Sequence, residues 1–258
     1  MVTYIFTGLG LISLIAFLIK RDKKSSIVAI ALKTVTSLMF ISAAVASAIY
    51  SMHNNPTTDF SRLVPVGLFV LGLVFGMVGD ILLDFKIYFK ALNMRFLCLD
   101  HDTDVLMLTG MSSFGFGHIL YITALAILNS SSLINLLYSC AIGLALIALV
   151  MFMSIKVMKM DFRKFLISSI IYGFLLGTFV IYSLFNVVGN PSVENILLLI
   201  GSIFFIVSDL ILSITYFSKK EDYERSGMFN PESKFMIIAN HVTYYVAQFL
   251  IAISIMFI

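Results

Sequence analysis

The chain has 258 residues, 60% of them hydrophobic and 12% charged, with a mean hydropathy of +1.04 and a formal net charge of +3. This composition excludes a water-soluble globular domain: apolar runs of about 18 to 20 residues recur along the whole length, which calls for helices that cross a bilayer with every backbone group paired internally. The small positive balance sits beside those runs, so its expected partners are lipid headgroups and no nucleic acid.

Eight runs follow in chain order. The first, 2 to 19, has no basic residue before it and its positive charges after it, the pattern of a retained span and not of a cleaved leader. The second, 27 to 50, carries Lys33 in "AIALKTVTSLMF". The third, 64 to 83, carries Asp80 in "VFGMVGDILL", with Asp84 one turn later, expected at the membrane edge in contact with solvent. The segment "CLDHDTD" offers Cys98, Asp100, His101, Asp102 and Asp104. It lacks a ligand spacing and reads as a solvated loop, with Asp104 capping the next helix. The fourth run, 105 to 128, holds His118 and Tyr121 in "SSFGFGHILY".

The fifth and sixth runs, 133 to 153 and 165 to 186, add hydropathy, and Cys140 in the fifth forms no disulfide or metal pattern with Cys98. The seventh, 193 to 216, carries Asp209 in "FFIVSDLIL", and the eighth, 235 to 257, carries His241, Tyr244 and Gln248 in "NHVTYYVAQFLI". Pro56, Pro65, Pro191 and Pro231 are all expected in loops or helix starts. The expected fold is an all-α membrane protein of eight transmembrane helices, one integral membrane domain over 1–258.

Fifteen of the 17 Lys and Arg lie in or beside the connections after the first, third, fifth and seventh runs. The positive-inside rule puts those connections in the cytoplasm and both termini on the other side of the cell membrane. Asp80 and Asp209 are 129 positions apart and His118 and His241 are 123 apart, each His followed three residues on by a Tyr. Halves of about 1–130 and 131–258 therefore read as a pseudo-repeat of four helices each. At about 1.5 Å per residue, Lys33, Asp80, Asp209 and His241 fall in the cytoplasmic half of the membrane, with His118, Tyr121 and Gln248 nearer the midplane. Ionisable groups at such depth cost at least about 2.5 kcal/mol each to insert, so they are expected to share one pocket with water. No Gly-x-Ser-x-Gly elbow, phosphate-binding loop or His-Glu-x-x-His helix is present, which removes serine-esterase and zinc-protease chemistry.

Five islands now stand together: "LKT", "GDILL", "SSFGFGHILY", "GSIFFIVSDLIL" and "NHVTYYVAQFLI". On them the chain resembles the YhhN-like family of lysoplasmalogenases. The resemblance implies a hydrolase that cleaves the vinyl ether bond of lysoplasmenylethanolamine or lysoplasmenylcholine, releasing a fatty aldehyde and a glycerophospho-headgroup, with Asp80 and Asp209 catalytic.

That reaction begins with slow proton transfer to the β-carbon of the vinyl ether, giving an oxocarbenium ion that water captures. It needs an acid that keeps its proton near neutral pH, a negative charge for the cation and a base for water. Two buried carboxylates that repel each other supply all three, with no metal or cofactor. Asp80, nearer the cytoplasmic water, is expected as base and Asp209 as proton donor, with the reverse left open because a coupled pair shares its protons. His118, Tyr121, His241, Tyr244 and Gln248 are expected to position water or the glycerol hydroxyl, and Lys33 to pair with an aspartate or attract the phosphate. The expected partners are a lysophospholipid, water and membrane lipids. A proton-coupled transporter or lipid flippase using the same carboxylates is the rival reading, and a lipid-binding scaffold the third; the first of these lacks a Pro or Gly break at mid-membrane.

Overall fold

A computed structural model describes residues 2–21, 26–54, 60–93, 100–129, 133–224 and 226–258, with backbone alone at 60, 61, 90–93, 100–102 and 220. The helices are α1 (Val2–Lys20), α2 (Ile27–Asn54), α3 (Phe60–Asn93), α4 (Asp100–Leu128), α5 (Leu133–Phe152), α6 (Leu166–Gly189), α7 (Val193–Phe217), the short α8 (Lys220–Glu224) and α9 (Lys234–Ser254). All but α8 are long and apolar enough to cross a membrane, and the described residues contain no strand. The chain is thus an all-helical, multi-pass membrane protein.

Helix α1 shows how such a chain partitions its side chains. Thr3, Gly10, Leu14 and Phe17 recur at helical spacing and are buried against the bundle, while Ile5, Ile12, Ile15 and Ile19 are exposed. In a bilayer these exposed isoleucines face lipid, so apolar burial gives little drive for helix association, and close backbone approach must supply it. A Cβ on Gly79 of α3 would lie 2.9 Å from the Gly110 carbonyl oxygen of α4, and one on Gly143 of α5 would lie 2.9 Å from the Thr178 amide nitrogen of α6. Glycine at these positions lets the paired backbones touch.

Six of the eight spans match the apolar runs to within a few residues, and two are longer. Helix α3 continues ten residues past the expected end at 83, and α4 begins five before the expected start at 105. The internal hydrogen-bond ladder does not need lipid, so it carries on through the polar segment. Asp84 therefore does not mark a helix end, and Asp104 lies in the second turn of α4 instead of capping it. Asp104 is paired in a salt bridge with Lys164, two residues before α6. Pro65 also lies within α3, in its second turn. Cys98 and Pro56, and the side chains of Asp100, His101 and Asp102, fall outside the described residues.

At the end of the bundle that carries the basic connections, residues 153–165 join α5 to α6. A π-helical turn at Met153–Val157 is followed by Lys159 (φ 56°) and Arg163 (φ 43°), both in the left-handed region. The Asp161 amide donates to the Phe217 carbonyl (2.8 Å), tying this connection to the end of α7. Arg163 Nε donates to Asp161 Oδ2 (2.8 Å), and that bond holds the exposed Asp161 carboxyl below the usual carboxylate range.

Candidate active site

Lys33 on α2 is 3% exposed, so its ammonium needs carboxylate partners inside the bundle. It finds Asp80 of α3 at 2.8 Å and Asp84, one turn further along the same face, at 3.7 Å. Its third contact is the Asp80 carbonyl (3.2 Å). Arg21, just past the end of α1, closes the row by pairing with Asp84 at 3.4 Å. Asp84 is 1% exposed, so the expected solvated carboxylate is a buried link in a charge row Arg21–Asp84–Lys33–Asp80. The correction follows from the length of α3, which keeps position 84 inside the bundle.

The second oxygen of Asp80 accepts from the Tyr245 hydroxyl of α9 (3.1 Å), which also lies 3.1 Å from the Lys33 carbonyl and 3.2 Å from Ser37 Oγ. One phenol and one ammonium thus fix the Asp80 carboxylate from two sides.

Asp209 of α7 has different company. Its Oδ2 accepts from the Tyr172 hydroxyl of α6, and Tyr172 lies 3.4 Å from His118 Nε2 on α4. No Lys or Arg stands within salt-bridge distance of Asp209 among the described residues. The His118 ring is packed edge-on against Phe205 (4.8 Å between centroids), which holds it on the Tyr172 side.

Two cavities meet at Asp209. A polar one of about 40 Å³ is lined by Lys33, Asp80, Asp84, Asp209, His241 and Tyr244, among others, and is large enough for water. An apolar one of about 110 Å³ lies among α3, α4, α5, α6 and α7, walled by residues such as Met111, Ile147, Gly173, Leu176 and Ile206, with Tyr172 and Asp209 among its polar groups. Leu83, Leu212 and Tyr216 join Asp209 in bordering both. Asp209 therefore touches an apolar slot on one side and a polar, charged chamber on the other, and Asp80 only the chamber.

The expected site residues divide accordingly. Lys33, Asp80, Asp209, His241 and Tyr244 line one chamber. His241 Nδ1 donates to the Ile237 carbonyl (2.7 Å) within its own helix, which leaves its other ring nitrogen on the far edge. Tyr121 and Gln248 border neither cavity. Tyr121 donates to Gln248 Oε1 (3.4 Å), Gln248 Nε2 donates to the Tyr244 hydroxyl (2.9 Å), and Tyr244 donates to the Gly76 carbonyl (3.0 Å). That row satisfies buried polar groups and fixes α9 against α3 and α4. His118 borders neither cavity and reaches Asp209 only through Tyr172.

Sequence reasoning missed Arg21, Asp84, Tyr172 and Tyr245. For Tyr245 a signal existed: it is four residues after His241 and three before Gln248, on the face those residues define. Tyr172, a single tyrosine in "SIIYGF", carried none, because its partner lies 37 positions on.

Among known protein families, the model described as the YhhN family fits residues 28–255, most of the chain. No curated protein and no solved structure matches it.

Proposed function

Because the chain belongs to the YhhN family, we propose that it is a membrane-embedded hydrolase that cleaves the vinyl ether bond of lysoplasmalogens, releasing a fatty aldehyde and the glycerophospho-headgroup. The observation that carries this reading is the unlike setting of two aspartates around one chamber: Asp80 against an ammonium at 2.8 Å, Asp209 against a phenol at the mouth of an apolar slot.

The asymmetry divides the work. Asp80, faced by Lys33, is the anion. Asp209, with a hydroxyl donor on one oxygen, carries the proton on the other. The alkenyl chain enters the apolar slot and brings its β-carbon to Asp209. The Asp209 proton passes to that carbon as the alkene π pair forms the new C–H bond, leaving an oxocarbenium ion on the adjacent carbon and a carboxylate on Asp209. Both carboxylates then stand against the cation, where fixed charge inside the bundle acts more strongly than in bulk water. A water in the polar chamber adds to the cationic carbon while Asp80 takes its proton. The hemiacetal collapses: its hydroxyl proton returns to Asp209, the C–O bond to glycerol breaks, and the departing oxygen receives the proton held by Asp80. One water is consumed and both aspartates regain their starting states.

His241 and Tyr244 border the chamber and orient the water, while Lys33 serves as the partner of Asp80 in preference to the phosphate. Since the chamber lies toward the basic connections, the reading has the active site facing the cytoplasmic leaflet of the cell membrane.

The test incubates the purified protein in detergent with lysoplasmenylethanolamine and with its saturated alkyl-ether analogue. Aldehyde from the vinyl ether alone is the expected result, since only that substrate has a carbon that can accept the proton. Aldehyde from neither substrate, with the protein folded, overturns the reading.

A further inference from the structure

The wall of the apolar slot changes character along its length. Helix α6 starts at the basic end of the bundle and α7 finishes there, and the bond from Tyr172 to Asp209 sets those two residues at one level. Away from the basic end, beyond that level, the slot is walled by Leu146, Leu176 and Ile206. Toward the basic end three serines enter the wall: Ser154 just past α5, Ser169 on α6 and Ser213 on α7. Ser213 donates to the Leu210 carbonyl (2.8 Å) inside its own helix. Ser169 is different: its Oγ is buried and has no hydrogen-bond partner among the described residues. The carbonyl four residues back, at Phe165, already accepts from Ser168 (3.0 Å). A buried hydroxyl left unpaired is costly, and in a cavity wall it marks a place where a polar group of a ligand completes it.

Spacing along the helices connects this hydroxyl to the chemistry. Ser169 precedes Tyr172 by three residues, so it shares the slot face of α6 and stands about 4.5 Å nearer the basic end. Ser213 follows Asp209 by four residues on α7, about 6 Å in the same direction. In a single-chain vinyl ether lipid, four bonds separate the alkenyl β-carbon from the middle glycerol carbon, about 5 Å when extended. A lipid whose β-carbon rests at Asp209, with its chain against Leu146, Leu176 and Ile206, therefore carries its middle glycerol carbon to the serine level. The hydroxyl on that carbon meets Ser169 Oγ there, which is able both to donate and to accept.

Resting on the proposed reaction, we propose that Ser169 is a specificity-determining residue, the contact for the free hydroxyl on the middle glycerol carbon of the substrate lipid. The contact holds the lipid in the register that sets its β-carbon beside Asp209. A lipid esterified at the middle carbon has no hydroxyl hydrogen to give, and it brings a second chain to a slot of about 110 Å³.

Equilibrium binding of radiolabelled ligands that cannot be hydrolysed separates this contact from the reaction itself. The saturated alkyl-ether lysophosphoethanolamine and its deoxy analogue, with hydrogen in place of the middle hydroxyl, are titrated against the detergent-solubilised parent and Ser169→Ala. The parent is expected to bind the deoxy analogue about fivefold more weakly, the effect of one neutral hydrogen bond. Ser169→Ala is expected to bind the hydroxyl ligand about fivefold more weakly than the parent does, to bind the deoxy analogue within about twofold of the parent, and so to lose the preference between them. The unchanged deoxy affinity also shows that the variant is folded. Equal binding of the two ligands by the parent overturns the assignment without need of a variant. A preference retained in Ser169→Ala overturns it as well, and so does an equal loss for both ligands. Neither ligand has a vinyl ether, so failure here leaves the aldehyde test of the reaction standing.

Discussion

Asp209→Asn is expected to lower aldehyde release from lysoplasmenylethanolamine by about 10² to 10⁴-fold while leaving the protein folded, the range that a positioned general acid supplies. The amide keeps the shape of the side chain, and its oxygen still accepts from the Tyr172 hydroxyl, so the bond between α6 and α7 survives. What disappears is a proton acidic enough to pass to carbon. Asparagine there is also neutral throughout the reaction, so the oxocarbenium ion loses one of its two counter-charges. Single-turnover aldehyde release, with elution volume and helical content compared against the parent, separates lost chemistry from lost structure. A folded variant with the parental rate removes Asp209 from the mechanism.

Lys33→Met is expected to act on stability as much as on activity. The row Arg21–Asp84–Lys33–Asp80 has two cations and two carboxylates, all buried, so removing the ammonium leaves Asp80 without its 2.8 Å partner and Asp84 with Arg21 at 3.4 Å. Breaking a buried pair from one side costs about 3–5 kcal/mol because the remaining charge is left uncompensated. Methionine fills most of the lysine volume, so packing contributes little to the loss. The check is a double-mutant cycle of unfolding in detergent across the parent, Lys33→Met, Asp80→Asn and the pair together. The double variant is expected to be markedly more stable than Lys33→Met alone; strict additivity contradicts the ion-pair account.

The spans were legible because each is a one-dimensional signal: a bilayer requires about 20 apolar residues in a row, whatever the neighbouring helices do. The same signal erred where polarity begins before the helix ends. At "LLDFKIYFK" it stopped α3 near position 83, which turned Asp84 into a surface group and hid its pairing with Arg21 and Lys33. The two aspartates were conspicuous as charges in lipid, but their register, 129 positions apart, suggested equivalence, and their surroundings are unlike. That difference comes from α2, α6 and α9, which reach them across sequence separations no local pattern encodes. Tyr121 and Gln248 show the opposite case. They are polar groups in apolar helices, as readable as the aspartates, and they hydrogen-bond to each other instead of bordering a cavity.

In the proposed reaction a carboxylic acid of the protein protonates carbon in the slow step. Hydrolysis of lysoplasmenylethanolamine in D₂O, with the fatty aldehyde reduced at once to the alcohol and weighed by mass spectrometry, tests it directly. One deuterium on the carbon next to the former carbonyl, together with a slower rate than in H₂O, is the predicted result. An aldehyde with no deuterium at that carbon, released at the same rate in both solvents, contradicts it.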